Sequence, residues 1–261
     1  MRIHAFHVAI LIITVLAVAP IAVVTQPFVL PIPSQPPQVD PARLEAHVKH
    51  LSVDLYPRSF DRFHNVEMSA QYILNEFRAA GAEVSVQDVI VQKAKHQNII
   101  ARFGPKSGPL LVIGAHYDSH GDASAGAPGY SLGSHTPGAD DNASGIAGLI
   151  ELSRLLGRNP QTHPIELVAY TLEEPPYFDT EYMGSVWHAR SLVAAKRSVR
   201  LMLSLEMIGY FSDEPGSQTY PVPAMAYLYS GRGDFAALVG KLSDFDAMRR
   251  VKALMKGATD L

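Results

Sequence analysis

No cysteine occurs among the 261 residues. That absence excludes disulfides, thiolate nucleophiles, Cys-ligated structural zinc and a lipidated N-terminal cysteine. Charge is sparse as well: 18% of residues are Asp, Glu, Lys or Arg, the net charge is −3, and no Lys/Arg cluster stands out. Nucleic-acid binding needs a basic face, so that partner class is set aside. There is no G-x-S-x-G elbow for a serine nucleophile and no phosphate-binding glycine loop with Lys. What remains for chemistry is His, Asp and Glu.

Charge is missing altogether from Val8 to Val24, a run of 17 residues preceded by Arg2 and two histidines. Signal-peptide cores run to about 7–15 residues and spanning helices to about 17–25. Ala17-Val18-Ala19 resembles a cleavage box, but Pro20 follows it directly, which favours an uncleaved anchor. Residues 1–25 are then the membrane segment, with Arg2 cytoplasmic and the rest in the periplasm or outside the cell. A secreted protein released by signal cleavage is the alternative. Residues 26–41 carry Pro27, Pro31, Pro33, Pro36 and Pro37, which break helix and strand ladder alike and predict a stiff spacer. The domain is expected over residues 42–261.

Asp40-Pro41 opens a helix, with a capping side chain followed by proline at the first helical position. A second helix is expected from Val66 to Ala80, stopped by Gly81. Apolar or alternating runs predict strands at Glu83 to Val91, Asn98 to Phe103, Pro109 to Ala115, Ile165 to Thr171, Arg200 to Glu206 and Met225 to Tyr229. Helical spacing marks Ser144 to Leu156, Gly184 to Ala195 and Asp234 to Met255. Leu110-Leu111-Val112-Ile113 is apolar throughout, as suits a strand covered on both faces. The alternation predicts the α/β class: a three-layer α/β/α domain around a mixed, mostly parallel central sheet.

Strand ends carry the reactive residues. His116-Tyr117-Asp118 closes one apolar run, Glu173-Glu174 another and Glu206-Met207-Ile208-Gly209 a third. The loop Gly138 to Gly145, GADDNASG, supplies further carboxylates just ahead of a helix. The C-terminal edge of parallel strands is where open α/β sheets build their sites. Each residue alone has an ordinary explanation: a satisfied structural histidine, a solvated acidic pair, a helix cap. Their coincidence at strand ends points instead to a catalytic-type metal centre, since His and carboxylates without Cys are its ligands. One aspartate shared between two ions would make a two-metal hydrolytic centre.

In order, spacing and intervening strands, the four segments from about Arg58 to Tyr210 resemble those of the co-catalytic di-zinc aminopeptidases, metallopeptidase family twenty-eight. The resemblance implies the zinc-peptidase fold, two zinc ions, and peptide or protein N-termini as substrates. It implies that His116 and Glu206 hold one zinc, that Asp140 bridges both ions, and that Glu174 holds the second. Glu173 is then the general base, and Asp118 accepts the ring N–H of His116. The family pattern ends with a histidine after a late strand, and no histidine follows His188 here. The expectation is therefore that C-terminal strands and the last ligand of the Glu174 zinc are missing, with one zinc well held. His120, His135, His163 and His188 read as loop or structural residues. Two alternatives stand beside the aminopeptidase: a glutaminyl-cyclase-like single-zinc enzyme of the same fold, and a non-catalytic binding ectodomain. Retention of Glu173 argues against the latter, because a binding module needs no general base.

Overall fold

A computed structural model describes residues 7, 19–23, 25–26, 28–34, 39–121, 135–220 and 223–259. The expected anchor therefore lies largely outside the described residues. Among those described, no helix is long and apolar enough to cross a membrane. The chain divides into two compact units, Pro37–Tyr210 and Met1–Pro36 with Phe211–Leu261.

In the first unit, helix α1 (Pro41–Lys49) begins as expected: the Asp40 carboxylate accepts the Ala42 N–H at 3.0 Å, and proline occupies the first turn. Helix α2 (Phe63–Ala79) buries Val66, Ala70, Ile73, Leu74 and Phe77, a stripe at helical spacing. Strands β1 (Glu83–Val91) and β2 (Ala94–Phe103) form an antiparallel hairpin. Gln92 and Lys93 turn it, both with positive φ (48° and 71°), the backbone of a two-residue hairpin loop whose twist matches the strands. Strands β3 (Leu110–His116), β4 (Ile165–Tyr170) and β5 (Val199–Ser204) complete a five-stranded sheet of order β1-β2-β4-β3-β5. β3 runs parallel to β4 and β5, whereas β2 runs antiparallel to β1 and β4, so the sheet is mixed.

Alternation along the strands builds two layers of core. Ile99, Ala101, Ile113, Ala115, Leu167 and Ala169 face α2 and helix α3 (Gly145–Gly157), which contributes Ile146, Leu149 and Ile150. Ile100, Leu110, Val112, Val168 and Tyr170 face the other way, with Leu192 of helix α4 (Gly184–Ala194) packed on them. The three-layer arrangement thus follows from strands that are apolar on both faces. Close packing is tight at Gly114 of β3, where a Cβ would come within 2.3 Å of the Tyr170 ring. His188 is structural: its ring bridges Glu166 at 3.0 Å and the Tyr170 hydroxyl at 3.1 Å.

The second unit differs from the sequence expectation in two places. Residues expected as a strand at 225–229 lie largely in a 3₁₀ turn, Pro223–Tyr227. Pro223 lacks a donor and its fixed φ suits a helical turn. Helix α5 (Phe245–Ala258) begins only after Asp244, whose carboxylate accepts the Lys241 N–H at 3.2 Å, so residues 234–241 are not helical. Thr25, Val29 and Ile32, at the start of the proline-rich stretch, lie against α5. Lys252 donates to the Thr25 carbonyl at 2.7 Å, Lys256 to that of Val29 at 2.9 Å, and the Ile32 N–H to that of Ala253 at 2.9 Å.

Candidate metal centre

β4, β3 and β5 are neighbours, and their C-terminal ends bring the reactive residues together. His116 is the last residue of β3 and is 3% exposed. Its Nδ1 lies 3.1 Å from the Asp118 carbonyl oxygen, an acceptor only, so Nδ1 carries the proton. Nε2 is therefore the ring nitrogen left to face the site. It faces Asp141 Oδ1 at 3.1 Å, Glu206 Oε1 at 3.3 Å and Glu173 Oε2 at 3.7 Å. One donor atom each from His116, Asp141 and Glu206 lies within 4.8 Å of the other two.

The structure places two of the expected site residues differently from the expectation. Asp140, expected at the centre, turns away: its Oδ1 accepts the Gly209 N–H at 2.8 Å, and Ser144 donates to its carbonyl at 2.7 Å. Asp141 occupies the place beside His116 instead. The physical reason is local backbone. Gly138 takes φ +58°, and Asp141 (φ −104°, ψ 91°) and Asn142 (φ −135°, ψ 41°) leave the helical region, so adjacent carboxylates diverge. The second difference concerns Asp118. Its carboxylate lies 3.6 Å from His116 Nδ1, too far for a hydrogen bond, and its carbonyl takes that role. The carboxylate accepts the N–H groups of Glu173 and Glu174 at 3.2 and 3.0 Å, and so fixes the acidic pair rather than the imidazole.

Both glutamate segments are aimed by left-handed residues without glycine. Leu172 (φ 56°) precedes the pair and is fully buried, and Met207 (φ 47°) follows Glu206. Such conformations cost about 1–3 kcal/mol and persist where surrounding packing holds them, typically at functional sites. Asn142, buried and overlooked from sequence, ties the loop to the exit of β5. It donates to the Leu205 carbonyl at 2.9 Å and accepts the N–H groups of Gly145 and Met207 at 3.1 and 3.3 Å. His135, which lies outside the cluster, pairs with Asp61 at 3.2 Å.

The electrostatics are those of a crowded acidic site. Burial pushes Glu173 up to about 7, with Asp118, Glu206 and Asp141 adding to the rise against the opposing charge of His116. Burial, then Asp141 and Asp118, pushes Glu174 up to about 8. The hydrogen bond from His116 holds Asp141 below its usual range. Burial by itself would lower the His116 pKa, but Asp118, Asp141 and Glu206 outweigh it and hold the ring well above its usual value. Glu174 Oε1 is buried without a hydrogen-bond partner. An orphaned carboxylate oxygen beside an imidazole and crowded carboxylates is a donor set that a divalent cation would satisfy, and the nitrogen-and-oxygen set without sulfur fits catalytic zinc.

Comparison with known proteins agrees with this chemistry. An uncharacterized protein of Escherichia coli K12, YfbL, is 47% identical over 244 residues, covering 93% of this chain and 72% of that protein. Leucine aminopeptidase 1 of Pyrenophora teres f. teres is 27% identical over 183 residues, 66% of this chain and 44% of its own length. Among solved structures, a Zn-dependent exopeptidase from Parabacteroides distasonis shares the fold with a TM-score of 0.56 at 23% identity, over 67% of this chain and 64% of that one. This chain thus spans less than half of that aminopeptidase and under two thirds of the exopeptidase. The sequence profile of peptidase family M28 matches residues 98–232, the stretch that delivers His116, Asp141, Glu173, Glu174 and Glu206, and the chain belongs to that family.

Proposed function

We propose that the protein is a zinc-dependent aminopeptidase. The observation that carries the reading is the convergence of His116, Asp141 and Glu206 at one strand edge, with Glu173 and Glu174 beside them. His116 Nε2, Asp141 and Glu206 would hold one zinc. Glu174 would hold a second, with Asp141 shared between the two. Bound zinc supplies Lewis-acid polarisation and makes water a usable nucleophile near neutral pH.

The chain's own groups do the rest. The Asp118 carbonyl holds the His116 ring so that the lone pair of Nε2 points into the site. The Asp118 carboxylate fixes the backbone of both glutamates. Glu173 stands 3.7 Å from His116 Nε2 and outside the donor triad, the place for a base that takes a proton from the attacking water and returns it to the leaving amine. Its carboxyl, raised to about 7 by burial and neighbouring charge, is poised for such a transfer, and a nearby cation would draw it lower.

A panel of aminoacyl-nitroanilides and their N-acetylated counterparts tests the proposal on zinc-loaded protein. The expected result is release of nitroaniline from free-amine substrates only, abolished by chelation. Pyroglutamate from a glutaminyl substrate would identify the cyclase chemistry instead. No turnover of any member at full zinc loading would overturn both.

A further inference from the structure

Among the described residues, the largest fully buried side chain belongs to a residue that the proposed reaction does not use. Arg58 is 0% exposed. Its guanidinium makes four hydrogen bonds, all to backbone carbonyls: Nε to Tyr117 at 3.0 Å, Nη1 to Leu51 and to Pro137 (2.9 Å), and Nη2 to Gly138 at 2.9 Å. Its main chain joins the same junction, since the Arg58 N–H donates to Ser119 Oγ and the Ser119 N–H to the Arg58 carbonyl, both at 3.2 Å. Among the described residues no carboxylate accepts a hydrogen bond from the guanidinium, so the direct partners of this buried cation are carbonyl dipoles. Burying a charge without a directly paired counter-ion is costly, and an apolar side chain of similar size would be the less expensive way to fill the space.

The placement supplies the reason. Tyr117 lies between His116 and Asp118, and Pro137-Gly138 leads directly into Asp140-Asp141. The planar fork therefore ties the two backbone segments that carry opposite sides of the metal cluster. The Gly138 neighbourhood is closely fitted: a Cβ there would lie 2.8 Å from Arg58 Nη2 and 2.7 Å from the Ser119 Cβ. The Arg58 charge also interacts with Asp118, Asp141 and Glu174, and so opposes the mutual repulsion of the carboxylates when no cation is bound.

We propose that Arg58 is a positioning residue that sets the distance between His116 and Asp141 by clamping the exit of β3 to the entry of the acidic loop, and thereby tunes zinc affinity. This rests on the zinc reading above. Lysine keeps the charge but is a point donor on a flexible stem and cannot span the carbonyls as a planar fork does, while methionine removes charge and donors together.

The test is zinc titration, by competition with a chromophoric chelator, of the full chain stripped of metal, with melting curves of the metal-free forms alongside. Loss of a group that orients metal ligands typically weakens binding by about 10–100-fold. Arg58→Lys is expected to fall in that range, and Arg58→Met to bind more weakly still. A merely structural role would lower the metal-free melting temperature and leave the zinc dissociation constant of the folded variant unchanged. A folded Arg58→Lys that binds zinc within twofold of the wild type therefore overturns the proposal. Should both variants fail to fold, Ser119→Ala decides. It deprives the Arg58 N–H of its acceptor, and a severalfold weaker zinc affinity supports the clamp whereas an unchanged one rejects it. A wild type that binds no zinc would be a failure of the zinc reading itself, seen before any variant is compared.

Discussion

Glu173→Gln is the substitution that separates chemistry from metal binding. The two side chains are nearly isosteric, and Glu173 is not in the His116–Asp141–Glu206 donor triad, so zinc content should be kept. What is lost is a carboxylate that sits 3.7 Å from His116 Nε2, partly buried and raised to about 7. A positioned general base of this kind contributes about 10²–10⁴ in rate. At about 1.4 kcal/mol per factor of ten, that range is about 3–5.5 kcal/mol of barrier. The expectation is a kcat reduced by that factor on an aminoacyl-nitroanilide, a KM changed little, and a zinc-to-protein ratio equal to that of the wild type. Loss of zinc together with activity would make Glu173 a ligand. Retention of zinc with a kcat within tenfold of the wild type would remove it from the proton transfer.

Two further outcomes follow from burial and charge. Glu173 and Glu174 have folded-state pKa values of about 7 and 8, above the ordinary value of 4.5, so the folded metal-free protein binds protons more tightly than the unfolded chain. Its melting temperature should be highest near and below pH 4.5 as far as these groups are concerned and fall as pH rises towards 8, with saturating zinc flattening the decline; a metal-free melting temperature that rises from pH 5 to 8 would contradict the acidic crowding. Leu167, fully buried at the centre of the sheet, should cost about 2–5 kcal/mol on change to Ala, read as a lowered midpoint in denaturant with an unchanged slope, and a loss below 1 kcal/mol would mean that the layer facing α2 and α3 is poorly packed.

Much of the domain was legible because burial on both faces leaves a run of apolar residues. β3 and β4 are such runs, and a Glu-Glu pair directly after one of them is conspicuous. What the sequence hides is direction. Asp140 and Asp141 are chemically identical neighbours, and only the dihedrals after Gly138 decide which carboxylate reaches His116. Leu172 and Met207 turn the chain with positive φ where no glycine signals a turn, and Gln92-Lys93 does the same in the β1–β2 hairpin. Arg58 has no local signature because every group it bonds to through the guanidinium is a backbone carbonyl, at distances of 7 to 80 residues along the chain. Residues 225–229 were open to misreading for another reason: a short apolar run has no period long enough to separate strand from turn, and Pro223 beside it decides the outcome.

The account stands on Asp141 rather than Asp140 as the carboxylate at the centre of a zinc site. Zinc bound per chain, measured on metal-stripped and reconstituted Asp140→Ala and Asp141→Ala, tests this directly. Asp141→Ala should lose its tightly bound zinc, because the substitution removes a donor 3.1 Å from His116 Nε2. Asp140→Ala should keep it, since that carboxylate serves the Gly209 N–H. Zinc retained by Asp141→Ala and lost by Asp140→Ala would contradict the assignment and restore the order expected from the sequence.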